Sequence, residues 1–396
     1  MLYNHLMIYE APKLLMPDHE AIERIDELRK QLRWRVAEPR RWYGGLRRIV
    51  FARAVQASNS IEGYNASVDD VLAVVGDEET MDAATETVNA VRGYRDAMTY
   101  ILQLAEDADV DIDESLLKSL HYMMIKYDLS KRPGRFRQGD VYVRRDVDEL
   151  VVYEGPNADL VPELMTELLA CLAAADSPVL VRAAMAHLNL VMVHPFKDGN
   201  GRMGRALQTL VMTRERIVAP IFSSIEEQLG RNTEAYYAVL GEVGQGSWHP
   251  KNDARPWVRF CLNAHYQQAQ RVLRRVMEAE DLWGRCEKLA RQLGLPDRTV
   301  GPLSDAARGL RLRNWSYRIA VEESEGEEVD AQTASRDLRL LVQHGLLEAK
   351  GETRGRFYLA ADSLKQERRE VRAVMAPLAR ADLFSKEGEQ LRLGVA

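Results

Sequence analysis

Residues 194–205 read HPFKDGNGRMGR and follow directly on LNLVMV (188–193), the apolar end of a segment with helical period. This stretch holds one imidazole, one carboxylate, three glycines and two arginines. Gly199, Asn200 and Gly201 can set successive backbone N–H groups around an anion, since glycine lets the chain approach an oxygen closely. A helix beginning near Arg202 would add unpaired N–H groups and the positive end of its dipole. Arg202 and Arg205 are three apart and share a helical face, so both guanidinium groups can reach one polyphosphate. A carboxylate at Asp198 repels bare phosphate and makes sense beside it only with a hard divalent cation such as Mg2+ between them. His194 has the pKa range to take a proton from a hydroxyl nucleophile. The chemistry read from these residues is transfer of a phosphate-containing group.

GNGRMG (199–204) also fits the glycine pattern of a dinucleotide-binding turn, but that turn should follow a strand immediately, and here HPFKD intervenes between helical flanks. A surface turn would explain the glycines and arginines and leave His194 and Asp198 without a reason. The stretch resembles the signature of the Fic family, HPFx(D/E)GNGRxxR, at every specified position. The resemblance implies a mainly α fold: an all-helical core with a small β-hairpin flap, binding ATP with Mg2+ and transferring AMP to a protein hydroxyl. It gives His194 the role of general base and Asp198 that of metal ligand. Gly199, Asn200 and Gly201 become the anion hole, Asn200 and Arg202 hold the α- and β-phosphates, and Arg205 holds the γ-phosphate. Phe196 packs inward to anchor the loop.

At 396 residues the chain can form two or three domains with sizeable cores. Its 46% hydrophobic and 29% charged residues exclude a disordered chain, and a net charge of -6 gives no general attraction to nucleic acid or anionic membrane. Cys171, Cys261 and Cys286 lack paired or metal-like spacing, which predicts buried free thiols in a reducing, cytoplasmic setting. MLYNHLMIYEAPKLLMPDHE at the start has no basic region and too short an apolar run for a signal peptide, and no segment is apolar enough for a bilayer span.

Helical patterns are predicted for about 19–34, from Trp42 to Val55, and for 81–104. The second runs into SNSIEG (58–63), which resembles the inhibitory motif (S/T)xxxE(G/N) found N-terminal to many Fic cores. The implied mechanism is competition: Glu62 would pair with Arg205, whose fork could then no longer take the γ-phosphate. The plainer alternative is a helix end with Gly63 as cap and Glu62 in solvent. His121 lies on an apolar stripe and His187 seven residues before His194, and both read as structural.

From Lys131 the chain changes character: VYV (141–143), a polar turn near Asp146 to Asp148, and LVVY (150–153) predict a hairpin. In the Fic family this flap holds the target in extended form, through strand addition. Arg132, Arg135, Arg137, Arg144 and Arg145 form a basic cluster there, read mostly as a solvated face. Tyr236 and Tyr237 resemble the aromatic pair of the family's adenine pocket, with core packing explaining at least one, and Asn232 and Asn263 are candidate polar edges for the base.

Trp257 to Leu293 predicts a long helix, and Gly294, Pro296, Gly301 and Pro302 a linker, giving domains 1–80, 81–295 and 296–396. The last resembles a winged helix-turn-helix domain, with a helix from about Asp330 to His344 in the recognition position, and SLKQERREVRAVMAPLARADLF (363–384) predicts a closing amphipathic helix suited to oligomer contacts such as a homodimer. From Asp297 to Ala361, ten Lys and Arg face eleven Asp and Glu, so DNA binding lacks its usual charge.

The combined expectation is a protein adenylyltransferase restrained by Glu62, acting on a Ser, Thr or Tyr of a protein target and on itself. The same residues also allow AMP removal, a kinase-type transfer, or a transcription regulator that senses nucleotide with its core.

Overall fold

The structure is a computed structural model describing residues 8–37, 40–80, 82–105, 110–144, 150–174, 176–213, 222–352, 355–379 and 382–394. The first helices are α1 (Met16–Arg35), α2 (Tyr43–Ile61), α3 (Val68–Val75), α4 (Thr85–Leu104) and α5 (Glu114–Ile125). Helix α3 lay outside the expected elements, although Ser67 signals it by accepting the Asp70 N–H at 3.1 Å as an N-cap. Asp113 starts α5 in the same way, through the Leu116 N–H at 2.7 Å.

Strands β1 (Tyr142–Arg144) and β2 (Val151–Glu154) pair antiparallel with Val143 opposite Tyr153, and a register shift falls between Val143 and Arg144. The polar turn expected at Asp146 to Asp148, and Arg145, lie outside the described residues. Next come α6 (Val161–Ala174), α7 (Val179–Val193), α8 (Asn200–Thr213), α9 (Glu226–Arg231) and α10 (Thr233–Gly244). Helix α7 is apolar on nearly every side and accordingly buried, with Leu188, Leu190 and Val193 fully covered. It packs along α8, and the two approach closely because a Cβ on Gly204 would clash with His187 and Val191.

Helix α11 (Arg255–Gln292) has 38 residues, about 57 Å of rise, and its buried stripe from Trp257 through Cys261 and Val276 to Cys286 serves both halves of the chain. Beyond it stand α12 (Val300–Ala307), α13 (Asn314–Glu325), α14 (Ala331–Gln343), the antiparallel strands β3 (Leu347–Lys350) and β4 (Phe357–Ala360), α15 (Asp362–Ala373) and α16 (Glu389–Arg392).

Two expectations are corrected here. Gly301 and Pro302 form no linker: both are buried inside α12, where a Cβ on Gly301 would press on the Ala320 carbonyl of α13. The long tail helix stops at Ala373, ahead of Pro377, and its buried face meets this chain itself, with Arg368 and Arg372 on Glu278 of α11 at 2.5 and 3.0 Å. One hydrophobic cluster runs through all of these elements, from Ile8 to Leu383. Cys261 and Cys286 are buried and Cys171 half-buried, all as free thiols, and no described helix is long and apolar enough to cross a membrane.

Candidate functional site

The site lies where α7 ends and α8 begins. His194 closes α7 in the left-handed region, φ 51°, with its N–H on Leu190 O. Its Nδ1 is 3.1 Å from the Val191 carbonyl, which can only accept, so Nδ1 carries the proton and Nε2 keeps its lone pair. Burial, with the Arg137 charge nearby, lowers the His194 pKa to about 4 against the pull of Val191, Glu62 and Asp198, so the ring is neutral at ordinary pH. A neutral imidazole presenting a bare Nε2 is the form a general base requires.

The loop between the helices is fixed from below. Phe196 is buried and stacks on His121 with 3.8 Å between ring centroids. His121 donates from Nε2 to the Asp198 carbonyl at 2.9 Å and accepts the Gly134 N–H on Nδ1 at 2.8 Å. It is the satisfied core histidine that the apolar stripe predicted, and it also holds the carboxylate-bearing residue in place. Asn200 makes a reciprocal pair with Phe196, its Oδ1 accepting the N–H and its Nδ2 donating to the carbonyl, both at 2.9 Å. Its side chain therefore staples the loop, and what it offers an anion is its backbone. The first bond of α8 runs from Met203 N–H to Gly199 O, so the N–H groups of Asn200, Gly201 and Arg202 precede the helical ladder. Gly199, with φ 79°, allows the turn that points them outward.

The arginines behave differently from each other. Arg202 is 1% exposed, and its Nε and Nη1 have no hydrogen-bond partner among the described residues. Its guanidinium lies 5.1 Å from the centre of the Tyr64 ring. Arg205, equally buried, donates from Nε to Ser58 Oγ at 2.8 Å and from Nη2 to Ser58 O at 2.9 Å and Glu62 Oε1 at 2.6 Å, while Nη1 is unpartnered. Burial would lower its pKa, and the Glu62 charge outweighs that and raises it. Glu62 follows the last turn of α2 and Gly63 takes φ 84°, so the helix end and the carboxylate contact are one feature rather than alternatives. A Cβ on Gly201 would press on Glu62 Oε1 and displace the tip of that side chain.

Both oxygens of Asp198 are engaged. Its Oδ1 accepts the Gly199 N–H at 2.6 Å and its Oδ2 meets Lys131 Nζ at 2.6 Å. Burial raises its pKa, but Lys131 prevails and holds the carboxyl below the usual range. Among the described residues there is no group of three or more His, Cys, Asp or Glu around a common point. One carboxylate beside the free N–H groups of α8 and two buried guanidinium groups is a set that suits Mg2+, which binds by one or two carboxylates plus substrate phosphates.

Sequence reasoning missed Arg137, read within a solvated cluster. It is 8% exposed and donates from Nε to His194 O at 2.9 Å, from Nη1 to Gly139 O at 2.8 Å and from Nη2 to Pro156 O at 2.5 Å. It ties the base of the hairpin to the left-handed turn of His194. The strand-like bridge between Phe136 and Phe196 was the only adjacent signal, and it is not visible without the fold. On the hairpin, Tyr142, Val151 and Val152 are exposed, and a Cβ on Gly155, the position after β2, would lie 3.9 Å from His194 Cβ.

The two tyrosines separate. Tyr236 is buried and its hydroxyl meets His187 Nε2 at 3.0 Å, in a chain that continues from His187 Nδ1 to Gln208 Oε1 at 2.7 Å and from Gln208 Nε2 to His265 at 3.2 Å. Tyr237 is 48% exposed and touches Ile61 O at 3.3 Å, which leaves its ring beside the end of α2. Asn263 is engaged elsewhere, accepting the Leu383 N–H at 3.2 Å, and Asn232 donates to Gln228 O at 2.8 Å.

Residues 111–212 match the Fic/DOC family. The chain is 25% identical over 257 residues to the protein adenylyltransferase Fic of Nematostella vectensis, covering 63% of this chain and 55% of that one. It is 27% identical over 231 residues to the protein adenylyltransferase fic-1 of Caenorhabditis elegans, covering 56% and 41%. The chain thus spans about half the length of these curated relatives. In fold it resembles the crystal structure of a Fic family protein from Desulfovibrio desulfuricans G20, with TM-score 0.57, 23% identity and coverage of 89% of this chain and 99% of that one.

Proposed function

We propose that this chain, whose residues 111–212 match the Fic/DOC family, is a protein adenylyltransferase that moves AMP from ATP to a protein hydroxyl and is held back by Glu62. The observation that carries the reading is a neutral His194, protonated on Nδ1, at the same helix junction as two buried arginines that each keep a nitrogen without a partner among the described residues.

In this reading the polyphosphate lies across the N–H groups at the start of α8, with Arg202 on the β-phosphate and Arg205 on the γ-phosphate. A target hydroxyl reaches His194 alongside the exposed edge of β1, and Nε2 takes its proton as the oxygen attacks the α-phosphorus. The bond from the α-phosphorus to the bridging oxygen breaks and pyrophosphate leaves. The N–H groups of Asn200, Gly201 and Arg202 meet the charge that develops on phosphate oxygens. Mg2+ on Asp198, when bound, would screen the phosphates from that carboxylate. Tyr237 is the member of the tyrosine pair with a face open to a base.

The C-terminal unit, read as a winged helix, is assigned here to protein interaction rather than DNA. Its acidic run is used within the chain: Glu323 and Glu325 of α13 pair with Arg48 and Arg41 beside or on α2.

The test is intact mass after incubation with ATP and Mg2+ of the Glu62→Gly variant, of the wild type, and of Glu62→Gly combined with His194→Ala. AMP should be added fastest in the single variant and be absent from the double one. A gain of phosphate alone would turn the nucleotide around and make the enzyme a kinase. Equal AMP addition in all three would remove both assigned roles.

A further inference from the structure

Lys131 carries a charge at this site that phosphate binding through α8 leaves unexplained. It ends a 3-10 turn, Leu129–Lys131, which Asp128 caps through the Ser130 N–H at 3.0 Å and from which Arg132 departs with φ 54°. Its Nζ lies 2.6 Å from Asp198 Oδ2, 3.5 Å from the Tyr64 hydroxyl and 3.9 Å from Asp128 Oδ2. The other Asp198 oxygen already accepts the Gly199 N–H. The free side of the expected metal ligand is therefore filled by a cation tethered to the chain.

A divalent cation and an ammonium repel at contact distance and compete for one carboxylate oxygen. If the metal takes Asp198, Lys131 must find another anion. The geometry supplies one: Lys131 Nζ and the Arg202 guanidinium flank the same tyrosine, at its hydroxyl and its ring face, so an anion bound by Arg202 comes within reach of the flexible lysine stem. We propose that Lys131 is a cation placeholder and an additional nucleotide-binding residue, neutralising Asp198 in the empty site and moving onto the polyphosphate when metal and nucleotide enter together. A bare divalent cation must displace the ammonium with only the solvated Asp128, 3.9 Å away, to receive it. The metal-nucleotide chelate brings the receiving group along. The inference rests on the adenylyltransferase reading of the same site.

Lys131→Met is compared with its parent in a Glu62→Gly, His194→Ala background, which frees Arg205 and prevents turnover. Binding of Mn2+ alone is measured by electron paramagnetic resonance, and binding of Mg·ATP by calorimetry. Loss of the ammonium should tighten Mn2+ and weaken Mg·ATP, each by roughly fivefold for a pair that is partly solvated, and Lys131→Arg should return both toward the parent. Opposite shifts support the placeholder. No change in either constant overturns it, and weakening of both with a lowered melting temperature makes Lys131 a structural tie and overturns it as well. Should the parent itself bind no Mg·ATP, the adenylyltransferase reading fails and takes this one with it.

Discussion

Glu62 Oε1 and Arg205 Nη2 lie 2.6 Å apart, joining the end of α2 to the second turn of α8 across 143 positions of sequence. The pair is asymmetric, since the arginine side chain is fully covered and the glutamate is 24% exposed. Arg205 would keep its two bonds to Ser58 without Glu62, so removing the carboxylate frees one fork of a guanidinium that remains in place. Glu62→Gln separates charge from shape here. The amide can still accept a hydrogen bond but loses charge assistance, worth about 1 kcal/mol or more. AMP transfer should rise by about fivefold in Glu62→Gln and further in Glu62→Gly, as followed by intact mass over time. Equal activity in wild type and both variants would show that the contact restrains nothing.

The loop 194–205 was legible because its candidate groups are local. Twelve consecutive residues hold an imidazole, a carboxylate, three glycines and both arginines, and their order alone puts them at one helix junction. SNSIEG was legible as a helix end with a poised carboxylate, and the fold supplied the distance. The remainder of the support was not legible, for a definite reason. Arg137 and Lys131 contact the loop from 57 and 67 positions away, His121 from 77, and none bears a motif. Arg137 in particular sits among solvated arginines, and only burial distinguishes it. The linker failed as an expectation because glycine and proline serve close helix packing as readily as turns: Gly301 lets α12 lie against the Ala320 carbonyl.

Arg137 is a positioning residue, with three good carbonyl contacts that include His194 itself. Arg137→Met leaves those carbonyls unpaired at about 1–3 kcal/mol for the buried set, and it unties the hairpin from the His194 turn. A melting temperature lowered by several degrees is expected, together with a fall in kcat that exceeds any change in the KM for ATP. A change in KM alone would place Arg137 with the nucleotide instead.

Acid should destabilise the protein before most carboxylates titrate. Burial pushes His121 and His194 down to about 4 and His187 and His265 down to about 3. Between the unfolded value near 6.5 and these folded values, the unfolded chain binds more protons, so stability is lost as pH falls through that window. Glu226 acts oppositely: burial raises it to about 7, so the folded state takes its proton first and gains stability between about 7 and 4.5. Glu323, raised to about 7 by burial, acts with it, and four imidazoles outweigh these two carboxyls. The melting temperature should fall between pH 7 and pH 5, and fall more steeply in Glu226→Gln, in which one opposing group is gone. A flat or rising profile would mean that these rings are not held neutral in solution.

Helix α2, which ends at Glu62, is also gripped at its far end. Arg48 of α2 pairs with Asp305 of α12 and Glu323 of α13, Arg41 pairs with Glu325, and Gly44 has no room for a Cβ against Glu323. Arg48→Ala need not leave a bare buried charge, because Arg308 holds Asp305 at 2.6 Å and burial already raises Glu323 to about 7. The loss falls on the contact between α2 and the C-terminal unit. A rigid helix passes a change at one end to the other, and the other end is Glu62. Arg48→Ala should therefore raise AMP transfer severalfold while Arg48→Ala combined with Glu62→Gly transfers no faster than Glu62→Gly alone, since both act through one restraint. Additive gains would separate the two ends of α2, and the C-terminal unit would then have no hold on the active site.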